Sequence, residues 1–346
     1  GINGNSDGVR SKVRLEGSTA SGNLTPIENE FSLRHTPKDV SEEFYHPVDF
    51  DLTSEYLQTG VSIKLTLNPN NQLGEINFAN NTYPSSGFKA LNFINEPKLR
   101  IRFVPFLANG GNNSELNIEL IKSSLENYLK AMYPNSSDDI QFEYLNSQST
   151  ASNKSDYDGA LSDVNTFRDL DKASNGTEND IFYYGLWTGG DTKANFQSVG
   201  GTAGLAYLTP RFTNGTLAYG YNLSGIGLVF PGIVESTTAH EIGHNHNLPH
   251  ISCNNETNER PMPLASGTDD FYPYNSAVPG NGVSDNTSGG GDDYGRIGKV
   301  GYDFRNGNYV SKTLFHDIMS YCTRLWISDY HYNKLHSFQN SLKNTV

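Results

Sequence analysis

The chain has 346 residues, with 25 Lys plus Arg against 38 Asp plus Glu and a formal net charge of −13. That balance excludes nucleic acid as the main partner, because phosphate binding needs basic patches. No run approaches the roughly 18 apolar residues that span a bilayer, so no membrane span is expected. The length allows one large domain or two moderate ones, each with its own core.

The first ten residues, GINGNSDGVR, lack the basic and apolar regions of a signal peptide. With an Asn-rich, Tyr-rich, Lys-poor composition and only two cysteines, the chain is expected to be a secreted protein whose leader has been removed. Asn-x-Ser/Thr triplets at Asn23, Asn153, Asn175, Asn214 and Asn222 are what chance gives in so Asn-rich a chain.

Residues 1–96 read as short strands broken by turn clusters. Val61–Pro69 and Gly74–Ala79 alternate apolar and polar and are joined by a turn over 68–73. A small β-rich module is expected here, serving as a binding or accessory unit or as a pro-segment. The texture changes at Pro97. Leu99–Phe106 alternates as a strand, and Ser114 then caps a helix with Ile118, Ile121, Leu125, Tyr128, Leu129 and Met132 at helical spacing; Asn117 precedes its first apolar turn and Pro134 stops it. Further strands are expected at Ile140–Leu145, Asp180–Trp187, Gly201–Leu208 and Gly225–Phe230, with a weaker helical period over Tyr157–Leu170. A helix runs on from Val234, and a last one begins at a capping Ser328. Alternating strands and helices make residues 97–346 an α/β or α+β domain.

The chemistry gathers at Thr237–Cys253, TTAHEIGHNHNLPHISC. His240 and His244 are spaced i, i+4, one above the other on a helix face, where both imidazoles can reach one zinc ion. Glu241, one step round, can take a proton from metal-bound water. A catalytic zinc wants three protein ligands and one open position. His250 lies six residues past His244 and can reach the metal only if the helix ends near 247 and the chain turns sharply. Such a turn needs a residue at positive φ; glycine is easiest and asparagine next, so Asn247 is the expected pivot, with Pro249 preventing the helix from resuming. His246 is rotated to the opposite face and is expected on the surface or packed beneath the site.

The pattern His-Glu-x-x-His-x-x-Asn-x-x-His, followed by HDIMSY at His316–Tyr321, resembles the metzincin superfamily of zinc endopeptidases. The resemblance implies an α+β catalytic domain over 97–346, with a mixed twisted sheet, an active-site helix, a Met-turn and a C-terminal helix, preceded by the small β-rich domain. It implies that Met319 lies in a tight turn beneath the metal. It implies too that Tyr321 is a further ligand at rest, moving to hydrogen-bond the developing oxyanion as in astacin-like and serralysin-like members. Without the resemblance, Met319 reads as core packing and Tyr321 as a buried tyrosine with a satisfied hydroxyl. Asn247 departs from the family's glycine. The family also binds peptide against an edge strand upstream of the active helix, which here falls on Gly204, Leu205 and Ala206; an interior strand is the alternative.

Cys253 and Cys322 flank elements that must converge on the metal. A disulfide is the leading reading, contributing roughly 4 kcal/mol if unstrained; a thiolate ligand or two free buried cysteines are the rivals. In the long insertion between them, Asp269, Asp270, Asp285, Asp292 and Asp293 could bind calcium, but without regular ligand spacing they read as solvated loop carboxylates.

The expected function is a secreted zinc metalloendopeptidase acting as a monomer on an extracellular protein or peptide, glycoproteins included. The competing class is a surface or glycan-binding adhesion protein with a structural zinc. A zymogen with its pro-segment in residues 1–96 is a third possibility.

Overall fold

The structure is a computed structural model. It describes residues 9–33, 48, 50–93, 97–108, 118–152, 156–176, 180–188, 203–208, 222–251, 269, 271–274 and 295–343. Ser114, Asn117, Cys253, Asp270, Asp285, Asp292 and Asp293 lie outside them. The chain divides into two compact units, Gly1–Asn95 and Glu96–Val346.

The first unit is an antiparallel sheet centred on a long strand, β1 (Val9–Thr19), which pairs with β2 (Gly22–Asn23), β3 (Ile27–Leu33) and β4 (Ser62–Leu67). β4 in turn pairs with β5 (Thr82–Tyr83) and β6 (Lys89–Ala90). Strand alternation puts Val13 and Leu15 on the inner face, where Leu15 joins Tyr56 and Val61. Lys12 and Arg14 point the other way and pair with Glu28 across β3. Gly17 is required by close approach, since a Cβ there would lie 2.5 Å from the Tyr56 ring.

The strand expected at Gly74–Ala79 does not form. Asn68 and Asn71 take positive φ, and Asn68 Oδ1 accepts the N–H groups of Gln72 and Leu73. This side-chain turn uses up the backbone donors that a hairpin would need. The chain returns to β4 only at β5, and Ile76 is left fully exposed.

The second unit is mixed α+β, with four α-helices among the described residues. Its sheet has the order β11 (Gly204–Ala206), β12 (Ser224–Leu228), β10 (Ile181–Thr188), β7 (Leu99–Leu107), β8 (Ile140–Tyr144), and β9 (Gln148–Ser149) continues alongside β7. All pairings are parallel except β11 with β12. Parallel strands need crossovers; helices α1 (Ile118–Met132) and α2 (Tyr157–Asn175) supply those from β7 to β8 and from β9 to β10, on opposite faces. Alternation along β7 sends Leu99, Ile101 and Phe103 to a core shared with Ile121, Leu125 and Leu129 of α1. Val104 and Phe106 face Ala160, Leu161 and Val164 of α2. Each such side chain, fully buried, contributes about 1.5–3 kcal/mol.

α2 is longer than its sequence period indicated, because its ends are capped: Asp156 accepts the Gly159 N–H, and Gly176 closes the helix in the left-handed conformation. The remaining helices, α3 (Val234–Asn245) and α4 (Asp329–Lys343), pack on the α1 face. Ser328 caps α4, its hydroxyl accepting the His331 N–H at 3.2 Å. Two short pairs complete the unit, β13 (Gly301–Asp303) with β14 (Asn308–Val310), and β15 (His316–Asp317) with β16 (Leu325–Trp326).

Candidate metal centre

α3 begins directly after β12 and runs under the sheet edge. It carries His240 and His244 on successive turns. The Leu248 N–H bonds back to Gly243 O at 3.1 Å and the Asn247 N–H to His244 O at 2.8 Å, while Asn247 takes φ +62°. These two bonds and the left-handed residue form a Schellman stop. The helix therefore ends where the sequence requires, and the chain doubles back. Ile251 donates to Met319 O at 3.0 Å, docking the segment that carries His250 against the turn at 318–320.

The imidazoles of His240, His244 and His250 converge. Each offers a ring nitrogen, and these nitrogens all lie within 4.8 Å of one another. Nδ1 of His240 is 2.8 Å from Ile318 O, and Nδ1 of His244 is 2.8 Å from Leu248 O. A carbonyl only accepts, so each Nδ1 carries the proton and each Nε2 keeps its lone pair. His244 Nε2 faces His250 Nε2 at 2.9 Å, and His240 Nε2 is buried without a partner. A buried ring nitrogen without a partner, as at His240, is costly, and a cation between the rings would satisfy it. Burial drives His240 down to about 4, His244 well below its ordinary value, and His250 down as well. Lowered values favour the neutral imidazole, the form that can ligate a metal. The residues fit a metal ion bound by three imidazole nitrogens.

Glu241 is 6% exposed, and burial pushes its carboxyl up to about 8. It lies against β11: a Cβ on Gly204 would come 2.8 Å from Glu241 Oε1 and 2.6 Å from Thr237 Cγ2. A glycine is therefore what lets the strand approach the helix so closely. Among the described residues β11 is an edge of the sheet. Gly204 is buried, while Leu205 and Ala206 are partly open.

The Tyr321 hydroxyl is 2.8 Å from His250 Nε2, with its ring centroid 4.9 Å from that of His250 and 5.4 Å from that of His240. Burial, with the Glu241 carboxylate adding to it, raises this phenol to about 12, so it stays a neutral donor. Met319 is fully buried beneath α3.

His246, two residues past His244, turns away from the triad. It is buried, stacks on Phe182 at 4.5 Å, and engages Ile242 O through Nδ1 and the Gln339 amide through Nε2. Cys322 is buried; its expected partner Cys253 is outside the described residues.

At the site, too, a sequence expectation is overturned. Asp269 is not a solvated loop carboxylate. It is 5% exposed and accepts from Phe271 N–H at 3.0 Å and Tyr330 OH at 3.1 Å, with Lys334 also paired to it. Its side-chain partners Tyr330 and Lys334 come from α4, some sixty residues on, which no local spacing could reveal. Sequence reasoning also missed Asp317 and His331, both fully buried and bonded to each other.

No protein-family model matches this chain, and neither does any curated protein. Among solved structures, one similar chain belongs to a structure described as that of a chaperone-substrate complex. It is 16% identical over 74% of this chain and 36% of that one, with a TM-score of 0.33. The chain thus spans little more than a third of that protein's length, and a likeness so loose carries no argument.

Proposed function

We propose that the chain is a zinc-dependent endopeptidase of the metzincin type, secreted and acting on protein or peptide substrates. The observation that carries this reading is the convergence of three neutral imidazoles on one point, with a buried Glu241 beside them and an edge strand alongside. Three nitrogen donors suit zinc with one position open for chemistry.

Zinc, when bound, would polarise the scissile carbonyl and acidify water. The protein's own residues then have separable tasks. Glu241, in a dry pocket, takes up a proton at its carboxylate and passes it to the leaving amine; a nearby cation would draw its raised pKa back toward neutrality. Tyr321 directs its O–H toward the oxyanion that develops on the carbonyl. β11, Gly204–Ala206, is an edge among the described residues and offers backbone N–H and C=O groups to an extended peptide, which suits recognition of main chain over side chain. The disulfide between Cys253 and Cys322 belongs to the same proposal.

The test is metal analysis combined with digestion of casein or gelatin, with and without chelator, for wild type and Glu241→Gln. Wild type should carry one zinc and cleave. The variant should keep its zinc and lose about 10²–10⁴-fold in cleavage. Undiminished cleavage by Glu241→Gln would sink the mechanism. Zinc without cleavage in wild type would leave the adhesion reading in its place.

A further inference from the structure

Behind the triad lies a second cluster of ionisable groups, wholly interior, that the proposed chemistry does not use. Asp317, on β15, is fully buried. Its Oδ1 accepts the Met319 N–H at 2.8 Å and lies 2.7 Å from Nδ1 of His331. Its Oδ2 accepts the Ser328 N–H at 3.1 Å and faces the Tyr272 hydroxyl at 3.5 Å. His331, in the first turn of α4, is also fully buried, and its Nε2 is 3.8 Å from Oδ2 of Asp269. An Asp–His–Asp chain, hydrogen-bonded at Asp317 and held at ion-pair distance from Asp269, whose Oδ2 also takes Lys334, thus joins three segments of the chain.

Burying three such groups costs several kcal/mol per ion, and apolar residues of similar size would often hold a core at least as well. The position of the chain's two ends suggests another role. Asp317 immediately precedes Ile318, whose carbonyl orients the His240 ring at 2.8 Å. At the other end, the Asp269 N–H donates to the carbonyl of His250 at 2.9 Å. One ion chain therefore grips the backbone on both sides of the triad. The third imidazole, His244, is held within its own helix stop and needs no such support.

We propose that His331 is a positioning residue for the metal centre: by bridging Asp317 and Asp269 it fixes the backbone that orients His240 and His250, and so sets the affinity for a divalent ion. This rests on the reading of the three histidines as a metal site. Outer groups that orient ligands typically control about 10–100-fold in metal affinity.

The experiment titrates full-length metal-free protein with zinc against a chromophoric chelator, and with cobalt while recording its visible absorption. It compares wild type, His331→Gln and Leu335→Ala. Leu335 is a core residue one turn further along α4, so its truncation lowers stability and leaves Asp317, His331 and Asp269 themselves unchanged. His331→Gln should weaken zinc binding by about 10–100-fold and alter the cobalt spectrum. Leu335→Ala should lower the unfolding midpoint yet keep both affinity and spectrum. Equal affinity and an unchanged spectrum in His331→Gln would overturn the proposal, as would equal losses in both variants. Should His331→Gln fail to fold, Asp269→Asn, which keeps its backbone bond to His250, carries the same expectation of weaker zinc and a changed spectrum. If wild type itself binds neither ion, the metal reading falls, and the proposal with it.

Discussion

Met319 lies against the bare face of Gly243: a Cβ built on that glycine would come 2.5 Å from Met319 Sδ. At an exposed helix position Gly→Ala gains about 1 kcal/mol in propensity. Here the added methyl enters a filled space, and overpacking costs about 1–3 kcal/mol. The second effect is the larger, so Gly243→Ala should lower the unfolding midpoint. Shortening the methionine makes room, so Gly243→Ala with Met319→Val should lose less than the sum of the two single changes. Additive losses in denaturant titrations would show that the two do not touch.

The turn at Asn247 gives a sharper contrast. At φ +62° a β-branched residue is strained by about 1–2 kcal/mol, whereas glycine is not. Asn247→Val should therefore lower both stability and zinc retention, because His250 follows the turn. Asn247→Gly should be neutral or stabilising. Thermal melts with and without zinc check this, and a Val variant indistinguishable from wild type would refute it.

His246 separates packing from ligation. His246→Ala removes a ring stacked on Phe182 and takes the acceptor from Nε2 of the buried Gln339, whose Oε1 keeps its bond from Asn135. A loss of about 2–4 kcal/mol in stability is expected, with zinc stoichiometry by elemental analysis unchanged. Loss of the metal would mean that the ligand set is wrong.

Glu241 predicts a pH dependence for the metal-free protein. Burial raises its folded pKa to about 8 from an ordinary 4.5. A carboxyl raised in the fold contributes stability below the unfolded pKa and loses it as pH rises toward the folded one. Stability should fall between about pH 4.5 and 8, by no more than about 5 kcal/mol at 1.36 kcal/mol per unit. The buried His240, lowered to about 4, acts in the opposite sense: its contribution is complete above the ordinary histidine value and is lost as pH falls toward 4. The difference between wild type and Glu241→Gln in urea midpoints across this range isolates the carboxyl. A flat difference would show that Glu241 is not desolvated.

Much of this was legible in residues close together in the chain. The i, i+4 spacing of His240 and His244, the eclipse of His246 and the need for a pivot at Asn247 follow from helix geometry alone. The alternation of Leu99–Phe106 and the apolar run of Asp180–Trp187, read as strands, are local signals too, and strands form at Leu99–Leu107 and Ile181–Thr188. Where side chains competed with the backbone, pattern misled: the alternation at Gly74–Ala79 lost to the Asn68 turn, and α2 outran its weak period because Asp156 and Gly176 fixed its ends.

The sequence by itself determined which histidines could share a face, because covalent geometry sets the reach of a helix turn. Only the tertiary structure decided what holds them in register. The Ile318 carbonyl on His240, Gly204 against Glu241, and the chain from Asp317 through His331 to Asp269 join residues tens of positions apart. Such partners leave no periodic trace, since a buried charge meets its partner through packing and not through spacing along the chain.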